Sequence, residues 1–367
     1  MKRFFKWLFS LILIGLLAWF LYAYATSTND FQQQTAAPKN PIKAIVYSDY
    51  GVANLKLLDI EKPAPTDDQI LVRVHAASIN PYDWHFIEGT PYVMRAMGVG
   101  LRKPKNIRLG SDFAGTVEAV GKNVTQYKPG DEVFGGSAGS WAQYLCRRST
   151  GSVALKPAAL SFEQAAAINI ARITALQAVR DHGKVQPGQK VLINGASGGV
   201  GTFAVQIAKS YGAEVTGVCS ARNTELVQSL GADHVIDYAK DDFTKGDQRY
   251  DVVIDNVANH SLSECRKVLT PNGIYVMIGG GGAIEQGFLG AIGNVLKAQL
   301  YSRFVKQKMG FMMAQPSTAD LTLLAGMVES GKLKTVIDRT YKLDQVPEAV
   351  RYVEEGHARG KVIVTVD

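Results

Sequence analysis

Ile193-Asn194-Gly195-Ala196-Ser197-Gly198-Gly199-Val200-Gly201 is the stretch whose reading decides the fold. Glycines at 195, 198 and 201 permit positive φ, close approach of backbone to a pyrophosphate, and tight packing of the following helix on the preceding strand. The flanks suit such a loop. Val191, Leu192 and Ile193 read as a buried strand, while Val200, Ala204, Ile207, Ala208 and Tyr211 recur at helical spacing and Gly212 supplies the stop. A glycine-rich turn that only packs a helix on a sheet is the alternative, and the strand-before, helix-after pattern argues against it.

Downstream, strands and helices alternate. Val215–Cys219 reads as a second strand, Asn223–Leu230 as a helix ended by Gly231, and Val235–Asp237 as a third strand. Asp251–Asp255 and Ile274–Ile278 follow, the latter after the turn Pro271-Asn272-Gly273. With a helical run over Ala165–Val179 in front, residues 161–332 are expected to form an α/β, doubly wound parallel sheet of Rossmann type. Upstream, Lys43–Tyr47, Ile70–Ala76, Ala114–Val120 and Glu132–Phe134 are short strands, with a turn at Lys128-Pro129-Gly130-Asp131. Residues 42–160 therefore read as a β-rich, barrel-like domain. The tail 333–367, β-like around a short helix near Pro347–Glu354, is expected to pack back on it.

The N-terminus is a separate object. Lys2, Arg3 and Lys6 precede the uncharged run Trp7–Ala25, whose Trp7, Trp19, Tyr22 and Tyr24 lie near its ends. As a helix it would be roughly 30 Å long, the thickness of a bilayer's hydrocarbon core. Residues 1–25 are expected to be a single transmembrane helix. A cleaved signal peptide ending at Ala23-Tyr24-Ala25 is the alternative. Residues 26–41 read as a polar linker. The localisation implied is a single-pass membrane protein whose catalytic side stays open, because the positive-inside rule places the domain away from the cytoplasm and NADPH is a cytoplasmic cofactor.

Composition narrows the function. The net charge of +7 is exceeded by nine bases in two acid-free segments, five between Glu88 and Asp112 and four between Glu285 and Asp320. The remainder is slightly acidic, so nucleic acid is a poor partner and a phosphorylated ligand or anionic surface a better one. Tyr92–Arg108 and Phe288–Met313, which mix bases with apolar residues, are able to touch an anionic bilayer; a solvated loop and a helix packing on the nucleotide domain are the alternative. Cys146, Cys219 and Cys265 are too few and too scattered for a disulfide framework or a four-cysteine zinc lobe.

Cofactor choice is read at the end of the second strand, where an acid would bind an adenosine ribose 2′-OH. Here the sequence is Cys219-Ser220-Ala221-Arg222. A hydroxyl and a guanidinium suit a 2′-phosphate, so NADPH is favoured over NADH.

The chain resembles the zinc-free branch of the medium-chain dehydrogenase/reductase superfamily. The likeness is strongest to its quinone oxidoreductase-like members, near the mitochondrial NADPH oxidoreductases and the chloroplast-envelope quinone oxidoreductase homologues. The runs that carry it are NPYDWHFIEG (80–89), GSDFAGTVEAVG (110–121), YKPGDEVFG (127–135), NGASGGVGTFAVQIAK (194–209), LGADHVIDY (230–238) and GHARGKVIV (356–364). The resemblance implies a GroES-like fold for the barrel domain. It places NADPH contacts on Ser197, Gly198, Gly199 and Val200 in the loop, and on Ser220, Tyr238 and Asn256. His357, Ala358 and Arg359 are implied to reach over from the tail. Arg222 is added on charge alone.

Zinc-dependent relatives build their site from a Cys, a His-Glu pair and a further Cys or His. Around Asn80 there is no cysteine, and Gly110-Ser111-Asp112 replaces the Gly-His-Glu pattern, so no metal ligands are assigned. Without a Lewis acid, negative charge on a carbonyl oxygen falls to hydrogen-bond donors, which suits enones and quinones. Asn80 and Tyr82 are the candidate polar contacts and His85 the candidate proton donor, with Asp83 orienting. A loop ordered by Pro81 and packed around Trp84 is the plain structural alternative. The expected activity is a membrane-tethered, NADPH-dependent reductase of small lipophilic quinones or α,β-unsaturated carbonyl compounds. An NADPH-binding scaffold or redox sensor and a zinc alcohol dehydrogenase are the competing readings; a homodimer is allowed.

Overall fold

The computed structural model describes residues 2–278, 298 and 305–366. Six parallel strands make the first sheet, in spatial order His234–Asp237, Glu214–Cys219, Lys190–Asn194, Tyr250–Asp255, Leu269–Met277, Lys308–Phe311. Counted along the chain this is the order 3-2-1-4-5-6, the doubly wound dinucleotide fold. Leu192 lies opposite both Thr216 and Val253, which puts the reversal of strand order beside the end of Lys190–Asn194. The helix Gly199–Ser210 buries Phe203, Ala204, Ile207 and Ala208 against the sheet and the helix Asn169–Gln177. Strand Leu269–Met277 begins earlier than its apolar run and takes in the Pro271-Asn272-Gly273 turn, with a register shift against its neighbour.

The second body is a seven-stranded, mainly antiparallel sheet. Its order is Ile337–Lys342, Lys361–Thr365, Gln69–Ile79, Asp112–Val120, Glu132–Gly136, Val153–Leu155, with Tyr144–Arg148 also paired to Gln69–Ile79. The C-terminal strand thus enters the N-terminal domain, Val362 pairing with Ile79 and Val364 with Ala77. Both ends of the chain build one core, in which Phe113, Trp141, Val350 and Val364 are buried.

At the N-terminus the expectation of a membrane-spanning anchor is corrected. Residues Lys2–Ala25 are helical, but among the described residues no helix is long and apolar enough to cross a membrane, a crossing that needs about 20 consecutive apolar residues. The transmembrane element of the expected fold and the single-pass membrane localisation both fall with it. The segment that follows is held against the barrel. Ser27 Oγ accepts from the N–H groups of Arg102 (3.1 Å) and Lys103 (3.2 Å), and Asn29 Nδ2 donates to Ser48 O at 2.8 Å. Phe31 packs against the small apolar cluster that includes Ile42, Val46 and Ile60. Of the two basic segments, Arg95 is folded inward, donating to Gly89 O and Glu88 O and stacking on Tyr50. Residues 279–304, which carry most of the second, lie outside the described residues apart from Ala298.

One buried charge stands out between the two bodies. Arg172, on the helix Asn169–Gln177, is 0% exposed and lies over the Phe203 ring. It donates to Thr335, while its Nε and Nη1 have no partner among the described residues. Burial pushes its pKa down to about 9. Arg172→Met, of similar volume and without the charge, is expected to stabilise the protein by about 1–3 kcal/mol. Thermal unfolding of the two proteins checks this; a lower midpoint for the variant contradicts it.

Candidate functional site

The glycine loop occupies the turn between Lys190–Asn194 and Gly199–Ser210. Gly195 has φ +76°, and a Cβ on Gly201 would lie 2.1 Å from Gly195 O, so both positions demand glycine. Gly198 is the N-cap of a twelve-residue helix with no side chain bonded at its start, the place where a helix favours an anion. At the adjoining strand end Asn256 Nδ2 donates to Asn194 O at 2.9 Å, while its buried Oδ1 has no partner among the described residues. An orphaned acceptor beside this loop fits the amide N–H of a nicotinamide carboxamide. Asp255 fixes the strand end, accepting from Asn194 Nδ2 (2.9 Å), Ala258 N–H (2.8 Å) and Tyr275 O–H (2.8 Å).

The residues expected at a 2′-phosphate converge at neighbouring strand ends. Cys219 pairs with Asp237, which sets Ser220 beside Tyr238, and Tyr238 is 59% exposed. Arg222 is exposed and donates through Nη2 to His357 O at 3.1 Å, tying the tail to this corner. Asn223 was not singled out from the sequence. Its buried Nδ2 donates to both Ser197 Oγ (3.0 Å) and Ser220 Oγ (3.2 Å), joining the loop to the second strand. Val200 packs partly buried beneath the loop. His357 and Arg359 are exposed and Ala358 packs against the barrel core; the Arg359 N–H is held by Asp338 at 2.9 Å.

Lys361, whose stem lies against the loop at Gly199, belongs to a cluster of buried polar groups. Asp112 accepts from Asn169 Nδ2 (3.0 Å) and Ile170 N–H (3.1 Å) on one oxygen. Its other oxygen accepts from Ser78 Oγ (2.7 Å) and Asn80 Nδ2 (3.0 Å), with Lys361 Nζ 3.4 Å away. Lys361 Nζ also donates to Asn80 Oδ1 at 2.5 Å. Lys361 and Asn80 are each 2% exposed and Asp112 0%. Asn80, expected to meet a substrate, thus has its amide committed to this network, as the N-cap of the helix Pro81–Glu88.

That helix carries Tyr82, Asp83 and His85. Tyr82 is 51% exposed with its ring 4.6 Å from Phe86; burial raises its pKa, so the phenol keeps its proton. His85 sits edge-on to Trp84, and its Nδ1 has no partner among the described residues. Burial pushes its pKa down to about 4, so near neutral pH it can donate only from a neutral imidazole. Asp83 closes the capping box, accepting from Asn80 N–H (2.9 Å) and Ser111 Oγ (2.6 Å).

Burial, opposed by the Ser111 hydrogen bond and aided by the Asp112 charge, pushes the Asp83 carboxyl up to about 7. The folded protein therefore holds a proton that the unfolded chain has lost between roughly pH 4 and 7. The stability this contributes is full below the unfolded value and is lost as pH rises through about 7. Asp83→Asn, which mimics the protonated acid, is expected to remove that loss. Melting temperatures between about pH 4 and 8 check the prediction, the wild type declining from about pH 4 to 7 and levelling off above it; a wild-type decline shared by the variant contradicts it.

Comparison with known proteins places this geometry. Residues 66–159 match the model of the alcohol dehydrogenase GroES-like domain, and residues 230–364 that of a zinc-binding dehydrogenase. The chain is 34% identical over 330 residues to the mitochondrial NAD(P)H oxidoreductase RTN4IP1 of Bos taurus, covering 82% of each chain. It is 35% identical over 340 residues to the trans-enoyl reductase pgmF of Aspergillus terreus, covering 86% of this chain and 92% of the relative. Among solved structures it is similar to the quinone oxidoreductase from Coxiella burnetii, with a TM-score of 0.77 and 30% identity over 89% of this chain and 100% of that one.

Proposed function

Because this chain belongs to the medium-chain dehydrogenase/reductase superfamily, and is an NAD(P)H-dependent oxidoreductase by that membership, we propose that it reduces quinones or α,β-unsaturated carbonyl compounds with NADPH and without zinc. The observation that carries the reading is the company Lys361 keeps. By the resemblance, the region around Asn80 and the pair Ser111-Asp112 replace the metal ligands of zinc-dependent relatives; here Asn80 and Asp112 are committed to each other and to an ammonium group, and Ser111 to Asp83. Names of relatives support the substrate class: a quinone oxidoreductase and a trans-enoyl reductase are both similar over most of the chain.

When bound, NADPH supplies the hydride. Ser197, Gly198, Gly199 and Val200 would hold its pyrophosphate on loop amides, Ser220, Arg222 and Tyr238 its 2′-phosphate, and Asn256 Oδ1 its carboxamide. His357, Ala358 and Arg359 would close the tail over it. Hydride at the β-carbon of an enone, or on a quinone, leaves charge delocalised over an enolate or hydroquinone oxygen. Tyr82, neutral and half-exposed on the cleft-side helix, offers that oxygen a hydrogen bond and a proton, and the neutral His85 can share that role.

The purified chain is expected to consume NADPH with a panel of quinones and enones at a rate a metal chelator leaves unchanged. Tight NADPH binding with no turnover across the panel would favour a scaffold or redox sensor. Loss of activity with the chelator, with zinc found by elemental analysis, would favour a zinc dehydrogenase.

A further inference from the structure

Gly360 and Lys361 are adjacent in sequence and serve two different sites. The Gly360 N–H donates to Ser197 O at 2.9 Å, and Gly360 forms a parallel bridge with Gly198, so its backbone is part of the dinucleotide loop. The Lys361 side chain runs the other way, to Asn80, the N-cap of the helix that carries Tyr82 and His85. Resting on the reductase reading above, we infer that Lys361 is a positioning residue that couples occupancy of the dinucleotide loop to the placement of the helix Pro81–Glu88.

The local stereochemistry leaves little slack between the two ends. Gly360 has φ +95°, and a Cβ there would lie 2.4 Å from Val336 O, so the backbone path into the strand is fixed. The Lys361 N–H is held by Val336 O at 2.8 Å. The lysine stem lies against the loop helix, its Cδ 3.3 Å from the place a Cβ on Gly199 would take. A shift of the loop therefore moves the stem, and the stem ends on Asn80. An apolar side chain at 361 would fill the same space but lose the directional contact to Asn80 Oδ1, and would strand Asp112 as a buried anion.

The test uses the full chain and hydrogen exchange with and without NADPH, so it does not depend on turnover. The comparison protein is K361M/D112N, in which both charges go together. The carboxamide introduced at position 112 keeps an acceptor for Asn169 and Ile170, and its amide N–H can face a flipped Asn80 Oδ1. In the wild type NADPH is expected to slow exchange in both segments 195–201 and 80–88. In the variant only 195–201 should be protected, with the NADPH dissociation constant within about threefold of wild type and kcat for an enone lower by about 10- to 100-fold. K361R, which keeps the charge but not the compact ammonium contact, is expected to fall between the two, and it carries the comparison if the double variant folds poorly. Equal protection of 80–88 in wild type and variants overturns the inference. Coupled protection in a wild type that reduces no quinone or enone overturns the reductase reading and leaves the coupling standing.

Discussion

Asp112→Ala is expected to cost the protein about 3–5 kcal/mol of stability, the largest single effect the structure implies. The substitution removes the acceptor of Ser78, Asn80, Asn169 and the Ile170 N–H together, and takes from the buried Lys361 ammonium its ion-pair partner, leaving only the Asp83 carboxyl nearby. Breaking one side of a buried pair is far more costly than removing both. K361M/D112N, which removes both charges and keeps an acceptor at 112, should therefore be far less destabilised than Asp112→Ala, and D112N and K361M taken singly should be strongly non-additive with it. Denaturant or thermal unfolding of wild type, Asp112→Ala, D112N, K361M and K361M/D112N measures this. A loss under about 1 kcal/mol for Asp112→Ala would mean that the cluster is wet and weakly held.

The second large effect concerns the cofactor. If NADPH is preferred as proposed, Ser220→Asp combined with Arg222→Ala is expected to turn that preference into one for NADH. A charge-assisted hydrogen bond contributes about 1.5–3 kcal/mol, or roughly 10- to 150-fold in affinity per contact. The structure holds the Arg222 guanidinium at the strand end through His357 O and sets Ser220 beside Tyr238. An aspartate at 220 would repel a 2′-phosphate and accept from a ribose 2′-OH. The pyrophosphate loop is untouched, so NADH should still bind. Paired titrations of cofactor fluorescence give the ratio; an unchanged ratio would send 2′-phosphate recognition to other residues.

How far the sequence speaks depends on whether a signal is local. The glycine loop and its flanks announce the strand, the turn and the helix because each obeys a period or a stereochemical demand within a few residues of itself. The doubly wound sheet and the β-rich domain follow from the same alternation. Ser220 and Tyr238 could be paired because both end strands of the same sheet. Lys361 could not be found that way, since it meets Asn80 across 281 positions; nothing in GHARGK distinguishes a lysine that turns inward from one in solvent. Asn223 escaped notice for a related reason, standing where a helix cap is ordinary. Asn80 was legible as polar and near the chemistry, but its engagement with Lys361 and Asp112 shows only when the strand Lys361–Thr365 is laid beside Gln69–Ile79. His85 is legible as a titratable group and not as a half-buried one whose burial lowers its pKa. The N-terminal run shows the converse: by composition it reads as an anchor, while the described residues hold no helix long and apolar enough to cross a membrane.

The central claim is hydride transfer to an activated carbonyl, with the chain's own donors in place of a Lewis acid. It is tested most directly by comparing kcat/KM, with NADPH in excess, for an enone and for the saturated ketone of the same skeleton. The account predicts reduction of the carbon–carbon double bond of the enone and no measurable consumption of the saturated ketone. Reduction of the saturated ketone to its alcohol at a comparable rate would contradict it.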